Sequence, residues 1–436
     1  MRTEPDKETA EAEQAEPSRN VGRRSLLGAI GAGAAGLALG GASGFTWGKT
    51  HSQTETTEVA STYPFEGEHQ AGITTEAQDR MHFAAFDMVE GATREDVIAV
   101  LKDWTKAARR LVLGGETTAR GAFGGGPNFP PDDTGEAYDL DPAGLTLTFG
   151  FGRSLFVTAD GKDRFGLHKH MPKEFIDMPV MTNDFLDPHR SGGDLCIQAC
   201  ADDPQVAVHA IRNLTRMGVG KTRIKWSQLG FGRTSSTTRS QETPRNLFGQ
   251  KDGTANIKAE DTDALNEHVW ITAGPEWARG GSYLVARRIY MTIEIWDTLQ
   301  LAEQERVTGR FKHDGAPLSG GDEFSPVDFH KLDSQGNPLV EETSHVARVH
   351  PDNNNGIRML RRGYNFVDGN DDQGRLNAGL FFIAFVNDPG RFAQVHRNMS
   401  RDEMFVEYLK TTGSGVYLVP PGVGAEGYVG QALLEA

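Results

Sequence analysis

Strand and helix signals recur along this chain twice in the same order, and that recurrence restricts its fold more than any other feature. Residues 81–86 read as a buried strand. Thr93 then caps a helix, with Asp96 three residues on as in a capping box, and Val97, Val100, Leu101, Trp104, Ala108 and Leu111 follow at helical spacing before Gly114 and Gly115. Leu145, Leu147, Phe149 and Phe151 alternate as in a strand, and 195–199 reads as another. Asp203 and Pro204 open a second helix, whose apolar stripe is Val206, Ala210, Ile211 and Leu214 and which Gly218 stops; a strand over 223–231 closes the set. The order strand-helix-strand-strand-helix-strand is the ferredoxin-like one. It returns as a strand over 283–295, a helix capped by Asp297 and running through Arg306, strands at 359–366 and 379–386, a helix near 401–410 and a strand at 415–419. The expected architecture is therefore α+β: two ferredoxin-like (βαββαβ) domains packed together, 63–233 and 234–430, with antiparallel sheets and outer helices.

The segment before 63 does not read as part of this fold. An acidic leader ends in Gly22-Arg23-Arg24-Ser25-Leu26-Leu27, and an uncharged Gly/Ala-rich run follows to Gly44. Paired arginines ahead of a mild apolar stretch predict a twin-arginine export signal over 1–44, followed by a polar spacer over 45–62. That route carries folded proteins, so it points to the twin-arginine machinery as a partner. It also predicts an exported protein, periplasmic, in the cell envelope or extracellular. The formal charge of −15 argues against nucleic acid as a partner. Cys196 and Cys200 lie four apart; in a strand their Cα atoms would be about 13 Å apart at 3.3 Å per residue, too far for a disulfide. Both read as buried small residues.

Two stretches fit neither copy, 234–267 and 312–358, and long irregular segments in compact domains are usually functional. The first contains Gly249-Gln250-Lys251-Asp252-Gly253-Thr254-Ala255-Asn256, in which glycines bracket an acid in a loop. The second contains Ser344-His345-Val346-Ala347-Arg348-Val349-His350-Pro351, and Arg358-Met359-Leu360-Arg361-Arg362-Gly363-Tyr364 follows it. On a strand Arg361 and Arg362 point to opposite faces, so one can enter a pocket while the other meets solvent. Asp-Gly alone is a common turn and a lone His is usually structural, so no cluster decides the matter by itself.

Together the clusters resemble the dye-decolourising peroxidase family. The Gly-x-x-Asp-Gly hallmark corresponds to 249–253, and His345 and then Arg361 follow in the family's order. Phe65-Glu66-Gly67-Glu68-His69-Gln70-Ala71-Gly72-Ile73, Gly379-Leu380-Phe381-Phe382 and Pro420-Pro421-Gly422 are similar as well, so the resemblance spans roughly 63–430.

The resemblance implies one heme b per chain, held in the C-terminal domain with His345 as the axial ligand of its iron. Asp252 would be the proton-transfer residue and Arg361 the fixed positive charge on the open side. Gly253, Thr254, Ala255, His350, Pro351, Asp352, Leu380 and Phe382 are the remaining candidate cofactor contacts. Glu407 is the candidate acceptor for the other ring nitrogen of His345, with Glu403 as the alternative. The implied activity is reduction of hydrogen peroxide with oxidation of an organic donor such as a dye or phenolic, and Tyr364, Trp226, Tyr290 and Trp296 are candidates for relaying electrons. The twin-arginine signal points to the branch related to deferrochelatases. Release of iron from heme, with iron-uptake proteins as partners, is therefore the alternative reading. Chlorite decomposition on a related fold is disfavoured by the 249–253 motif.

Overall fold

The computed structural model describes residues 62–436; the paired arginines and all but the end of the spacer lie outside them. In the first half the elements fall close to where the sequence puts them. Strand β1 is Arg80–Met88, followed by the helix Arg94–Leu111, β2 Thr146–Gly152, β3 Leu195–Ala201, the helix Pro204–Met217 and β4 Thr222–Arg233. The Thr93–Asp96 capping box is formed in both directions, and the Asp203 carboxylate accepts from Gln205 N at 2.6 Å.

The second half departs in four places. Strand β5 is Ser282–Met291 and stops short of 295, because 293–297 is helical; Ile293 and Trp296, three apart, then share one face and pack with Phe248 and Phe405. The helix expected from Asp297 begins only at Leu301, since Asp297 ends the preceding turn. The strand expected over 359–366 is broken into β6, Leu360–Arg361, and β7, Tyr364–Asn370. Gly363 sits at the break, where Thr234 N donates to its carbonyl at 2.9 Å and a Cβ would lie 2.7 Å from Thr234 Oγ1. The helix expected near 401–410 lies earlier, at Pro389–Asp402, opened by an Asp388 cap and Pro389 at its first position, and 401–410 is mostly a short 3-10 stretch leading into β9, Leu409–Val419. The third strand of this half, β8, is Leu376–Val386.

The strands run β5-β9-β2-β3-β1-β4-β7-β8, and β5 pairs with β8 to close the ring; β6 adds to the far side of β8. Pairing is antiparallel throughout these strands, long within each half and short between them. The β5–β9 and β5–β8 ladders run most of the strands' length, whereas β2–β9 and β4–β7 each match two residue pairs. The lumen is filled by inward residues of every strand but β2, among them Phe83, Cys196, Cys200, Leu284, Phe366, Phe381 and Tyr417. Both cysteines are free and buried, and burial pushes their thiol pKa values up. Helices 94–111 and 204–217 cover the outside of the first half, joined by Trp104 Nε1 donating to Leu214 O at 2.7 Å.

Phe83 sits where the halves share their core. Its ring lies 5.0 Å from Trp226, 5.2 Å from Phe381 and 5.8 Å from Tyr417. Phe83→Ala should cost about 3–5 kcal/mol and move one cooperative unfolding transition. Denaturant titration followed by fluorescence and circular dichroism checks this; two separate transitions, with only one displaced, would show that the halves do not depend on a common core.

Candidate active site

Two glycines in left-handed backbone shape the 243–256 loop. Gly249 has φ +76° and Gly253 φ +87°, and a Cβ on Gly253 would come within 3.0 Å of Ser235 Cα, so neither position suits a larger residue. The loop folds back as a small hairpin, Asn246 N donating to Gln250 O at 3.1 Å and Asp252 N to Pro244 O at 2.9 Å. This aims the Asp252 carboxylate at Arg361. Oδ1 accepts from Arg361 Nη1 at 2.9 Å, and Oδ2 accepts from Asn246 Nδ2 at 3.2 Å. Thr254 turns elsewhere, its hydroxyl donating to Glu323 Oε1 at 3.1 Å, while Lys251 pairs with the same carboxylate. Ala255 is exposed.

Arg361 stands opposite Ala384 in the β6–β8 pair, so it shares the outer face of β8 with Leu380, Phe382 and Ala384. Phe381, Ile383 and Phe385 fill the lumen instead. Leu380 and Phe382 are half-buried; Leu380 packs on the Phe248–Trp296 cluster, and the Phe382 ring lies 5.7 Å from Phe392. Arg362 is not the solvent-facing partner its position suggests. It is fully buried and donates to Thr75 O, Glu76 O at 3.2 Å and Gln78 Oε1, because the 75–78 carbonyls need donors where they pass the end of the barrel.

Asn256 is the residue that sequence reasoning passed over. Its buried carboxamide accepts from Arg361 N at 2.6 Å and donates to Arg361 O at 2.9 Å and Ser236 O at 3.0 Å. One loop thus supplies the carboxylate and also grips the main chain of its cationic partner. The signal was its place four residues after Asp252 in the same motif. Lys258 lies near the same cation. Burial first, and the charge of Arg361 second, hold its ammonium pKa below the ordinary value.

His345 opens the short helix His345–Val349 after Ser344. Its Nδ1 is hydrogen-bonded to Glu403 Oε1. The Glu403 side chain has no exposed surface, while that of His345 is 31% exposed. With Nδ1 donating to this carboxylate, the neutral imidazole is the tautomer whose Nε2 is free to act as a ligand. The expected acceptor, Glu407, is exposed on the 404–408 turn. The helix expected to carry it inward ends at Asp402, which places Glu403, the alternative, in the buried position. His350, Pro351 and Asp352 form the turn after the His345 helix. His350 Nδ1 accepts from Asp352 N at 3.3 Å, its ring lies 5.1 Å from Phe329, and burial lowers its pKa.

Family models for the N-terminal and C-terminal parts of Dyp-type peroxidases match residues 70–232 and 243–424. The chain belongs to the Dyp-type peroxidase family. This peroxidase is 37% identical over 383 residues to the dye-decolorizing peroxidase of Thermobifida fusca, covering 84% of each chain. It is 34% identical over 441 residues to the deferrochelatase of Yersinia pseudotuberculosis, covering 97% of this chain and 96% of that one. The DtpA protein of Streptomyces lividans, solved as an oxyferrous/water mixed complex, superposes with a TM-score of 0.78 at 39% identity, over 86% of this chain and 98% of that one. The cofactor of the peroxidase is heme, and the residues present fit it. An imidazole with Nδ1 held by a buried carboxylate offers Nε2 to a metal, and the half-buried Leu380 and Phe382 offer apolar surface on the face that carries Arg361.

Asn256→Ala should leave heme content unchanged and slow the reaction with peroxide by about ten- to a hundredfold, the scale of a roughly 1 Å displacement of a catalytic group. Stopped-flow absorbance checks this; a parent-like rate would mean that Arg361 is placed without the Asn256 grip.

Proposed function

We propose that this chain is an exported heme peroxidase that reduces hydrogen peroxide and oxidises an organic donor, a dye or a phenolic. One observation carries the reading: an Asp–Arg pair at 2.9 Å on the outer face of the barrel, in a chain whose His345 presents a free Nε2 backed by Glu403. In this reading His345 would hold the heme iron through Nε2. Glu403 draws on the Nδ1 proton and makes Nε2 a stronger donor. Heme, when bound, would supply the redox chemistry that links peroxide to the organic donor.

The polypeptide moves the protons. Asp252, held by Asn246 and Arg361, takes a proton from the attacking peroxide oxygen and returns it to the departing one, which leaves as water. Arg361 supplies positive charge, already in place, where negative charge grows on the breaking O–O bond. The strand orders β2-β3-β1-β4 and β7-β8-β5-β9, with short seams between them, support two ferredoxin-like domains over 63–233 and 234–430, with heme in the second.

The test uses three variants. His345→Ala should lose heme. Asp252→Asn and Arg361→Leu should keep it and react with peroxide more slowly, by about 10²–10⁴ and 10²–10³. Normal heme content in His345→Ala would sink the ligand assignment, and a parent-like rate in Asp252→Asn would leave Arg361 as the only activating group.

The deferrochelatase named among the relatives favours a second reading, release of iron from heme in partnership with iron-uptake proteins. Recovery of intact iron-free porphyrin from the holoprotein without peroxide would favour it; its absence favours peroxidase turnover alone.

Export by the twin-arginine machinery to the periplasm, the cell envelope or the medium rests on Arg23 and Arg24. Replacing both by lysine keeps the charge and removes the paired guanidinium groups. The protein should then stay in the cytoplasmic fraction, and unchanged export would refute the signal.

A further inference from the structure

The β2–β3 connection, which belongs to the first half, runs across the outer edge of β9 in the second. Phe185 N donates to Thr411 O at 2.8 Å, Thr411 N to Asn183 O at 3.0 Å, and Asp187 N to Thr412 O at 3.0 Å. The connection is pinned by an ion pair between Asp184 and Arg287 of β5 whose side chains are 1% and 2% exposed. Separating such a pair would strand a charge in the interior, so the crossing point is rigid.

Next to this pin the strap reaches the segment that carries Glu403. Thr182 Oγ1 donates to Ser400 O at 3.2 Å. The Asn183 carboxamide donates to Val406 O and, at 3.2 Å, to Leu409 O. These contacts bracket residue 403 on both sides. The bracket matters because the Glu403 side chain cannot place itself. Its Oε1 meets only His345, and its buried Oε2 has no hydrogen-bond partner among the described residues. A carboxylate with one partner sits where its main chain puts it. From the His345 side that main chain is tied by Met404 N donating to Thr343 O at 3.0 Å and by the Arg348–Asp402 ion pair at 2.6 Å. From the other side it is tied by the strap.

We propose that Asn183 is a positioning residue for the His345–Glu403 hydrogen bond, so that a loop of the first half sets how strongly the imidazole donates to iron. The inference rests on the reading of His345 as the axial ligand. Without the Asn183 carboxamide the 404–409 main chain relaxes outward, Oε1 draws away from Nδ1, and the imidazole loses imidazolate character.

The iron–imidazole stretching frequency of the ferrous holoprotein, measured by resonance Raman, reads that character directly, and a merely structural role would not move it. Glu403→Gln sets the full downward shift expected when the carboxylate is lost. Asn183→Ala, at parent heme content, should move the band down part of that distance, and Asn183→Asp, which turns donors into acceptors facing the same carbonyls, at least as far. If Asn183→Ala fails to fold, Thr182→Val, which removes one bond from the same bracket, should still give a smaller shift of the same sign. A parent frequency in the folded Asn183 or Thr182 variants, beside a shifted Glu403→Gln, overturns the role of the strap and leaves the ligand assignment standing. A parent frequency in Glu403→Gln overturns the ligand reading and this inference with it.

Discussion

Closure of the sheet through β5 and β8 is the constraint on which the rest depends. Once the ring is closed, every residue of β8 has either a lumen address or an outer one, with no edge at which to compromise. Phe381, Ile383 and Phe385 go inward and complete a core to which both halves contribute. Leu380, Phe382 and Ala384 are thereby forced outward, and β6, hung on β8, has to place Arg361 with them. The face that bears Arg361 is thus chosen by the lumen packing of Phe381, Ile383 and Phe385.

Charge placement follows a matching logic. Four buried or half-buried carboxylates each have one specific partner: Asp252 has Arg361, Glu323 has Lys251, Asp184 has Arg287, and Glu403 has the imidazole of His345. In a low-dielectric setting an unpaired charge is costly, so these pairs hold loops that secondary structure does not. The Gly-bracketed loop, the 312–344 connection and the strap over β9 are all irregular, and each is fastened by such a pair. Peroxidase chemistry and iron release from heme would both use this framework, since both begin with an imidazole presented by a rigid, carboxylate-backed helix end.

Local chemistry was enough to read much of this chain. The capping residues Thr93 and Asp203, the alternation at 145–151 and the glycine-bracketed Asp252 were visible because each depends on neighbours within a few positions. The order Asp252, His345, Arg361 was legible only through the family resemblance, since an Asp-Gly turn and a lone His are ordinary features by themselves. What could not be read were features set by distant partners. The chain at 293–295 reads as the end of a strand, yet 293–297 is helical because Ile293 and Trp296 pack with Phe248 and Phe405.

By itself the sequence determined the elements of the first half, the two free cysteines on one strand, the loop that carries Asp252 and the strand that carries Arg361. Only the tertiary structure decided which carboxylate backs His345, that Arg362 turns into the barrel toward the 75–78 carbonyls, and that Asn256 and Asn183 grip main chain on other elements. The physical reason is range. Capping, turn and periodicity signals are settled within a turn or two of chain, whereas a buried carboxamide or carboxylate takes its role from whichever unsatisfied donor or acceptor the closed sheet brings beside it.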